Sequence, residues 1–215
     1  MSKISKLAQC LNVPEKGLHD LLEKYFDLSL FQPIERKHIF ICGGKQHGKS
    51  TLANIIVQHD PSGIKIESLA DPIKRIGEMF GVKDDDNEDK DTTFVESLKR
   101  FKREVYQIIG TEIGRELDEN VWIKKLDEKV FMLPKQYHTI VYPDMRFPNE
   151  LQFSRSLKNA IIVRITRSNY KSSLVNNHKS EQFYNTFVPN YEIINDGSLQ
   201  DYIEKCKVFV KEICN

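Results

Sequence analysis

From His38 to the C-terminus the chain alternates short apolar, β-rich runs with helix-length stretches, and this alternation is what most restricts its fold. The runs fall at 38–42 (HIFIC), 64–69 (IKIESL), 138–143 (HTIVYP), 160–166 (AIIVRIT) and 191–195 (YEIIN). Strands separated by helices argue a mainly parallel sheet, because each crossover helix lies on a sheet face and both faces become covered. The expectation is an α/β three-layer fold on a mainly parallel, five-stranded sheet. The last helix is the cleanest, with Leu199, Tyr202, Ile203, Cys206, Phe209, Val210 and Ile213 at helical spacing, and it is expected to dock on the sheet.

Ahead of these elements, residues 3–30 read as two short helices. Ile4, Leu7, Ala8 and Leu11 form one stripe, Leu18, Leu21, Leu22 and Tyr25 the next, and Pro14 starts the second. The expected division is a helical extension over 1–35 and a main domain over 36–215. A small DNA-binding helix pair is one reading of the extension, but Glu15, Asp20, Glu23 and Asp27 are interleaved, which favours packing or partner contact.

Net charge bounds the partners. Lys and Arg total 32 against 31 Asp and Glu, so no global field gathers nucleic acid or an anionic membrane. No apolar run approaches a membrane span, and MSKISKLAQCLN lacks the apolar stretch of a signal peptide, so a cytoplasmic protein is expected. Cys10, Cys42, Cys206 and Cys214 lack metal-ligand spacing and read as free thiols. The charge run at 83–91 (KDDDNEDKD) reads as a solvated loop.

Between the first strand and its helix lies Gly43-Gly44-Lys45-Gln46-His47-Gly48-Lys49-Ser50-Thr51, which fits G-x-x-x-x-G-K-[ST] at every specified position. Such a loop wraps phosphate oxygens in backbone N–H groups, and side chains at the glycines would block the approach. Lys49 is expected on the β and γ phosphates of a nucleoside triphosphate, with the Ser50 hydroxyl on Mg²⁺. A helix from Ser50 to Gln58 then places Leu52, Ile55 and Ile56 on one face, giving the strand, loop and helix order an anion site needs.

Asp144 follows the third run, at the strand end where open α/β sheets place ligands, and is a candidate metal ligand opposite Ser50. Arg146 offers a planar fork to transferred phosphate, and Glu150 lies in the first turn of the next helix. On the helix around 94–109 the stripe Phe94, Leu98, Phe101, Val105 and Ile108 opposes Arg103, Gln107 and Gly110, suited to phosphate, base edge and close backbone approach. Asp71 reads as an N-cap with Pro72 at the first helical position, and Lys74 and Arg75 either as contacts for an acceptor phosphate or as exposed cations. Trp122 suits either core packing or stacking beside a base. Arg167 and the polar stretch after it read as a lid over about 167–185, and the Asn195-Asp196-Gly197 turn as an edge for adenine.

Together, GGKQHGKST, LADPIKR, Q-x-x-G-T at 107–111 followed by Trp122, PDMRFPNE, HKSE and IINDGSL resemble the deoxynucleoside monophosphate kinases of bacteriophages and large DNA viruses. The resemblance spans roughly 38–205 in order. It implies a nucleoside monophosphate kinase fold with an acceptor region at about 71–133, and ATP-dependent, Mg²⁺-assisted phosphorylation of deoxynucleoside 5′-monophosphates in the host cytoplasm. It implies acceptor roles for Arg103, Gln107, Gly110, Thr111 and Trp122, and catalytic or metal-linked roles for Asp144, Arg146 and Glu150. The extension before residue 38 departs from the family pattern. The lid lacks a second arginine, which leaves Lys171, Lys179 or a residue elsewhere as the source of its cation. Dephospho-coenzyme A kinase or another small-molecule phosphate-loop kinase, or a non-catalytic nucleotide-binding module or ATPase, are the competing readings, and a homodimer is left open.

Overall fold

The computed structural model of the protein describes residues 3–25, 34–82, 92–167 and 183–214. The charge run at 83–91, most of the expected lid with Lys171 and Lys179, and the HKSE sequence lie outside the described residues. Two compact units are present, Met1–Ile34 and Glu35–Asn215.

The first unit is a helix pair, α1 (Lys3–Leu11) and α2 (Glu15–Tyr25), the second beginning one residue after Pro14. Ala8 and Leu18 are its buried apolar side chains, whereas Leu7 and Leu11 of the expected stripe are exposed. The side chains of Leu21, Leu22 and Tyr25 lie outside the described residues.

The second unit is built on β1 (Lys37–Gly43), β2 (Ile64–Ile66), β3 (Thr139–Tyr142), β4 (Ala160–Thr166) and β5 (Tyr191–Ile194), hydrogen-bonded in the order β2-β3-β1-β4-β5. Every neighbouring pair is parallel. The central strand explains why its sequence is continuously apolar: Ile39, Phe40, Ile41 and Cys42 are all fully buried, and successive side chains serve opposite faces. Ile39 and Ile41 pack with Leu52, Ala53 and Ile56 of α3 (Lys49–His59) and with Tyr202, Cys206 and Phe209 of α9 (Leu199–Cys214). Phe40 and Cys42 pack on the other face, with Trp122 and Leu126 of α7 (Val121–Phe131) and residues of α8 (Pro148–Ser156). Each fully buried aliphatic side chain contributes about 1.5–3 kcal/mol, so this strand anchors both layers. Burial also pushes the Cys42 thiol up to about 11, which keeps it protonated.

The helix after β1 thus covers one face and the helix after β3 the other. Because β1 and β3 are adjacent, their loops diverge and open a crevice at the carboxyl ends of the strands.

Three local expectations need correction. β2 ends at Ile66, not residue 69, because the chain turns so that the backbone N–H groups of Leu69 and Ala70 reach Asp144. Asp71 is not the N-cap of α4 (Asp71–Met79): Ala70 holds that position, and the Asp71 carboxylate accepts from Lys129 Nζ at 2.9 Å. On the expected stripe, Phe101 of α5 (Thr92–Gln107) and Ile108 just after it are exposed, while Val105 packs against the core and Arg103 and Gln107 line a cavity; the Phe94 side chain lies outside the described residues. The chain after α5 widens into a π-helical turn, Ile108–Ile113, which makes Ile109 and Gly110 the buried residues in place of Ile108. A short helix α6 (Gly114–Leu117) follows.

Candidate active site

The loop from β1 to α3 is shaped by its glycines. Gly43 and Gly48 adopt φ of 147° and 110°, in the region that favours residues without a side chain. A Cβ on Gly43 would lie 2.5 Å from the Ile165 carbonyl oxygen, and one on Gly48 would lie 2.6 Å from the Tyr202 ring. Lys49 Nζ donates to the carbonyls of Gly43 at 2.8 Å and Gly44 at 2.6 Å, so its ammonium lies across the loop. The His47 ring nitrogen Nδ1 is 3.1 Å from the Gly44 N–H and 3.0 Å from the Ile165 carbonyl oxygen. Lys45 and Gln46 are exposed, as is Ser50, while Thr51 is half-buried.

Distant segments brace the loop from outside. Tyr202 of α9 donates its hydroxyl to Gly48 O at 2.8 Å, and Asn195 Nδ2 donates to His47 O at 2.9 Å. Arg167 Nη1 donates to Gln46 O at 3.3 Å. Arg167 and Asn195 therefore meet the loop despite standing more than a hundred residues away. Asp196 faces elsewhere and pairs with Lys205 at 2.6 Å, and a Cβ on Gly197 would meet the Asp201 carboxylate.

Across the crevice a cavity of about 400 Å³ gathers most of the remaining candidates. Its walls include Lys74 from α4, Arg103 and Gln107 from α5, Gly110 and Thr111 from the π-helical turn, Trp122 from α7, Asp144 and Arg146 from the β3–α8 connection, and Glu150 from the first turn of α8. Asp71 is not among the lining residues; its ion pair with Lys129, which also holds the buried Glu67, turns it away from this space.

Several lining groups have structural partners that define what they do. Asp144 accepts from the Ser68 hydroxyl at 2.6 Å, Ala70 N–H at 2.9 Å and Leu69 N–H at 3.2 Å, tying the β2–α4 turn to the end of β3. Trp122 is buried in the core and donates its indole N–H to Gly110 O at 2.7 Å. A π-helical turn releases carbonyls from the regular ladder, and this one finds a side-chain donor. Glu150 is 2% exposed and accepts from the backbone N–H of Arg146 at 2.6 Å and of Phe147 at 3.1 Å. That is half of a capping box; Phe147, at the N-cap, has no side-chain oxygen for the other half. Burial raises the Glu150 carboxyl above its usual range, opposed by Arg115 and the two backbone donors.

Sequence reasoning missed Arg115, Tyr106 and Phe147, which also line the cavity. Arg115 had a signal: Arg103, Gln107, Thr111 and Arg115 continue one four-residue spacing. Tyr106 and Phe147 had none beyond adjacency to Gln107 and Arg146.

A parallel α/β sheet whose first strand runs through a G-x-x-x-x-G-K-[ST] loop into a helix, beside a ligand-sized cavity, defines the class of phosphate-loop α/β folds. Within that class, residues 96–206, more than half of the chain, match the family model for deoxynucleotide monophosphate kinase, and the chain belongs to that family. Over 124 residues it is 27% identical to the deoxynucleoside-5′-monophosphate kinase of Escherichia phage T5, an overlap of 55% of this chain and 48% of the phage protein. The chain thus spans about half the length of the curated relative it matches. Among solved structures, it overlays on an APS kinase from Mycobacterium tuberculosis (TM-score 0.42, 11% identity, 84% of this chain and 99% of that one). It also overlays on the shikimate kinase of Aquifex aeolicus (TM-score 0.42, 9% identity, 82% and 98%). Among the described residues no helix is long and apolar enough to cross a membrane.

Proposed function

We propose that the protein transfers the γ-phosphoryl group of ATP to a deoxynucleoside 5′-monophosphate. The observation that carries this reading is the pairing of two sites on adjacent strands: the glycine loop after β1, and a largely apolar cavity at the end of β3 into which Arg103, Gln107 and Arg146 bring polar groups. Transfer between phosphates needs little covalent help from the protein, so alignment and charge stabilisation supply most of the rate.

On the donor side, Lys49 neutralises charge on the β and γ phosphates, and the loop's N–H groups hold them. The glycine cradle, where added Cβ atoms would collide, and the exposed Ser50 hydroxyl in the first turn of α3 fit a triphosphate carrying a hard cation. Among the described residues no group of three His, Cys, Asp or Glu side chains could hold a metal, so Mg²⁺ would rest mainly on phosphate oxygens with the Ser50 hydroxyl. When bound, it would offset charge on the triphosphate. Asp144, which accepts three hydrogen bonds, supports the acceptor wall through residues 68–70, and its carboxylate would hold the cation directly or through water. Arg167 and Asn195 brace the loop from the side expected to meet the adenosine.

On the acceptor side, Arg103 has no hydrogen-bonding or ion-pair partner among the described residues and faces the cavity, which suits it to the monophosphate. Gln107 and Thr111, a turn apart, suit the base and sugar. Arg146 stands at the carboxyl end of β3 and is assigned to the transferred group. The acceptor is a small molecule, and a divalent cation is the expected companion of ATP.

The test is ADP formation with ATP and each deoxy- and ribonucleoside monophosphate in turn, beside dephospho-coenzyme A. Conversion of a deoxynucleoside monophosphate to its diphosphate supports the proposal. ATP hydrolysis indifferent to every acceptor would refute it.

A further inference from the structure

We propose that Arg115 is a positioning residue for phosphoryl transfer: it clamps the turn at 146–150 so that Arg146 meets the transferred group in a fixed orientation. The proposal rests on the functional reading above, which places Arg146 at that group.

The clamp is built from both sides of the cavity. Arg115 lies in α6, directly after the π-helical turn, and its guanidinium lies over the Phe147 ring, 3.8 Å from the centroid. Its Nη1 donates to Asn149 Oδ1 at 3.1 Å and to the Glu119 carbonyl at 3.2 Å, and its Nη2 donates to Glu150 Oε1. The other Glu150 oxygen accepts the backbone N–H groups of Arg146 and Phe147. Asn149 closes the ring of contacts by donating from Nδ2 to the Glu119 carbonyl at 2.8 Å. One cation thus fixes a carboxylate, and that carboxylate fixes the backbone on which Arg146 is mounted.

Burial makes the arrangement rigid. The Arg115 and Glu150 side chains are 11% and 3% exposed, and charges so placed are tolerated only when pairing and hydrogen bonding are nearly complete. Losing either leaves the other uncompensated, so the turn cannot settle into a nearby alternative at low cost. Lysine would keep the charge but not the planar fork that reaches Asn149, Glu119 and Glu150 at once, nor the flat face over Phe147. Glu150 accordingly serves the site by holding backbone, and needs no proton transfer to do so.

The test uses the full chain with Arg115→Ala and Arg115→Lys, each alone and combined with Arg146→Ala. Misplacement of a reacting group by about an ångström costs roughly a hundredfold, so either single variant should lose about that much in kcat. KM for ATP should hold, because Tyr202 and Asn195 brace the donor loop independently of the clamp. If Arg115 acts through Arg146, adding its substitution to Arg146→Ala should cost less than about threefold more. A similar loss on both backgrounds, or near-normal kcat in Arg115→Ala, would overturn the proposal. A second readout is independent of turnover: without nucleotide, amide exchange at Arg146 and Phe147 should quicken by about tenfold or more in Arg115→Lys, with Gly43–Lys49 unchanged. Unaltered exchange at those two amides overturns the clamp whatever the chemistry. Absence of acceptor-dependent turnover in the unmodified chain instead sinks the functional reading alone, and the exchange result still decides the clamp. Should Arg115→Ala fail to fold, Arg115→Lys carries both measurements.

Discussion

Replacing Trp122 by Phe probes the joint between core and cavity. The change keeps an aromatic ring but deletes the indole N–H that reaches Gly110 O at 2.7 Å. That carbonyl belongs to a buried residue, and leaving it unpaired costs about 1–3 kcal/mol. The smaller ring adds about 1 kcal/mol for the space it vacates beside Gly114, where a single added Cβ would already collide with the indole. The sum, about 2–4 kcal/mol, is a large share of the 5–15 kcal/mol typical of a folded domain. With a urea slope of about 2 kcal/mol/M, the midpoint should fall by about 1–2 M at unchanged slope. Far-ultraviolet circular dichroism is the suitable probe, because Trp122 is the only tryptophan and its fluorescence disappears with it. Since Gly110 and Thr111 share the π-helical turn, KM for the acceptor should rise while KM for ATP stays put. A midpoint shift below about 0.3 M would refute the energetic argument, because it would mean the indole hydrogen bond adds nothing net.

Lys49→Ala should remove transfer, by at least about a hundredfold in kcat/KM, with the urea midpoint nearly retained, because the lost interactions are at a loop surface; near-normal turnover would exclude the donor assignment. Gly48→Ala should abolish triphosphate binding, measured by calorimetry, and cost about 2–4 kcal/mol, since φ of 110° and the Tyr202 ring both oppose a methyl group; unaltered affinity would contradict the loop geometry. His38, half-buried near Arg36, is held down at about 4, mainly by desolvation and then by that arginine. Its folded value lies below the unfolded 6.5, so the unfolded chain binds the proton more readily. The stability it contributes is present above about pH 6.5 and fades as pH falls toward 4. His38→Gln should flatten that part of a pH series of urea midpoints, and an unchanged slope would count against it.

The frame was legible because burial on both faces leaves long apolar runs. β1 and β4 read almost residue for residue, and α9 buries Tyr202, Cys206, Phe209, Val210 and Ile213 of its expected stripe, although Leu199 at its start is exposed. The glycine loop was legible because its backbone geometry admits few residue types. The spacing of Arg103, Gln107 and Gly110, four and three residues apart, also pointed to one wall of one cavity. What escaped was set by contacts distant in sequence. Asp71 looked like a cap by local grammar, yet the donors before α4 bond to Asp144, more than seventy residues on, and Asp71 pairs with Lys129. The π-helical turn carries no composition of its own, because its stability comes from an indole twelve residues away. Arg115 was overlooked for a similar reason: alone it is a surface-like residue on a short helix, and only the buried Glu150 gives it a task.

The adjacency of β1 and β3 acts as a ruler. Parallel neighbours sit about 4.8 Å apart, fixed by backbone hydrogen bonds that no side-chain exchange alters. The glycine loop leaves the end of one and the Asp144–Arg146 segment leaves the end of the other, so the span between the proposed donor and acceptor sites is a property of the peptide lattice. Relatives could therefore remodel the α5 wall to accept a different base while leaving the transfer distance untouched.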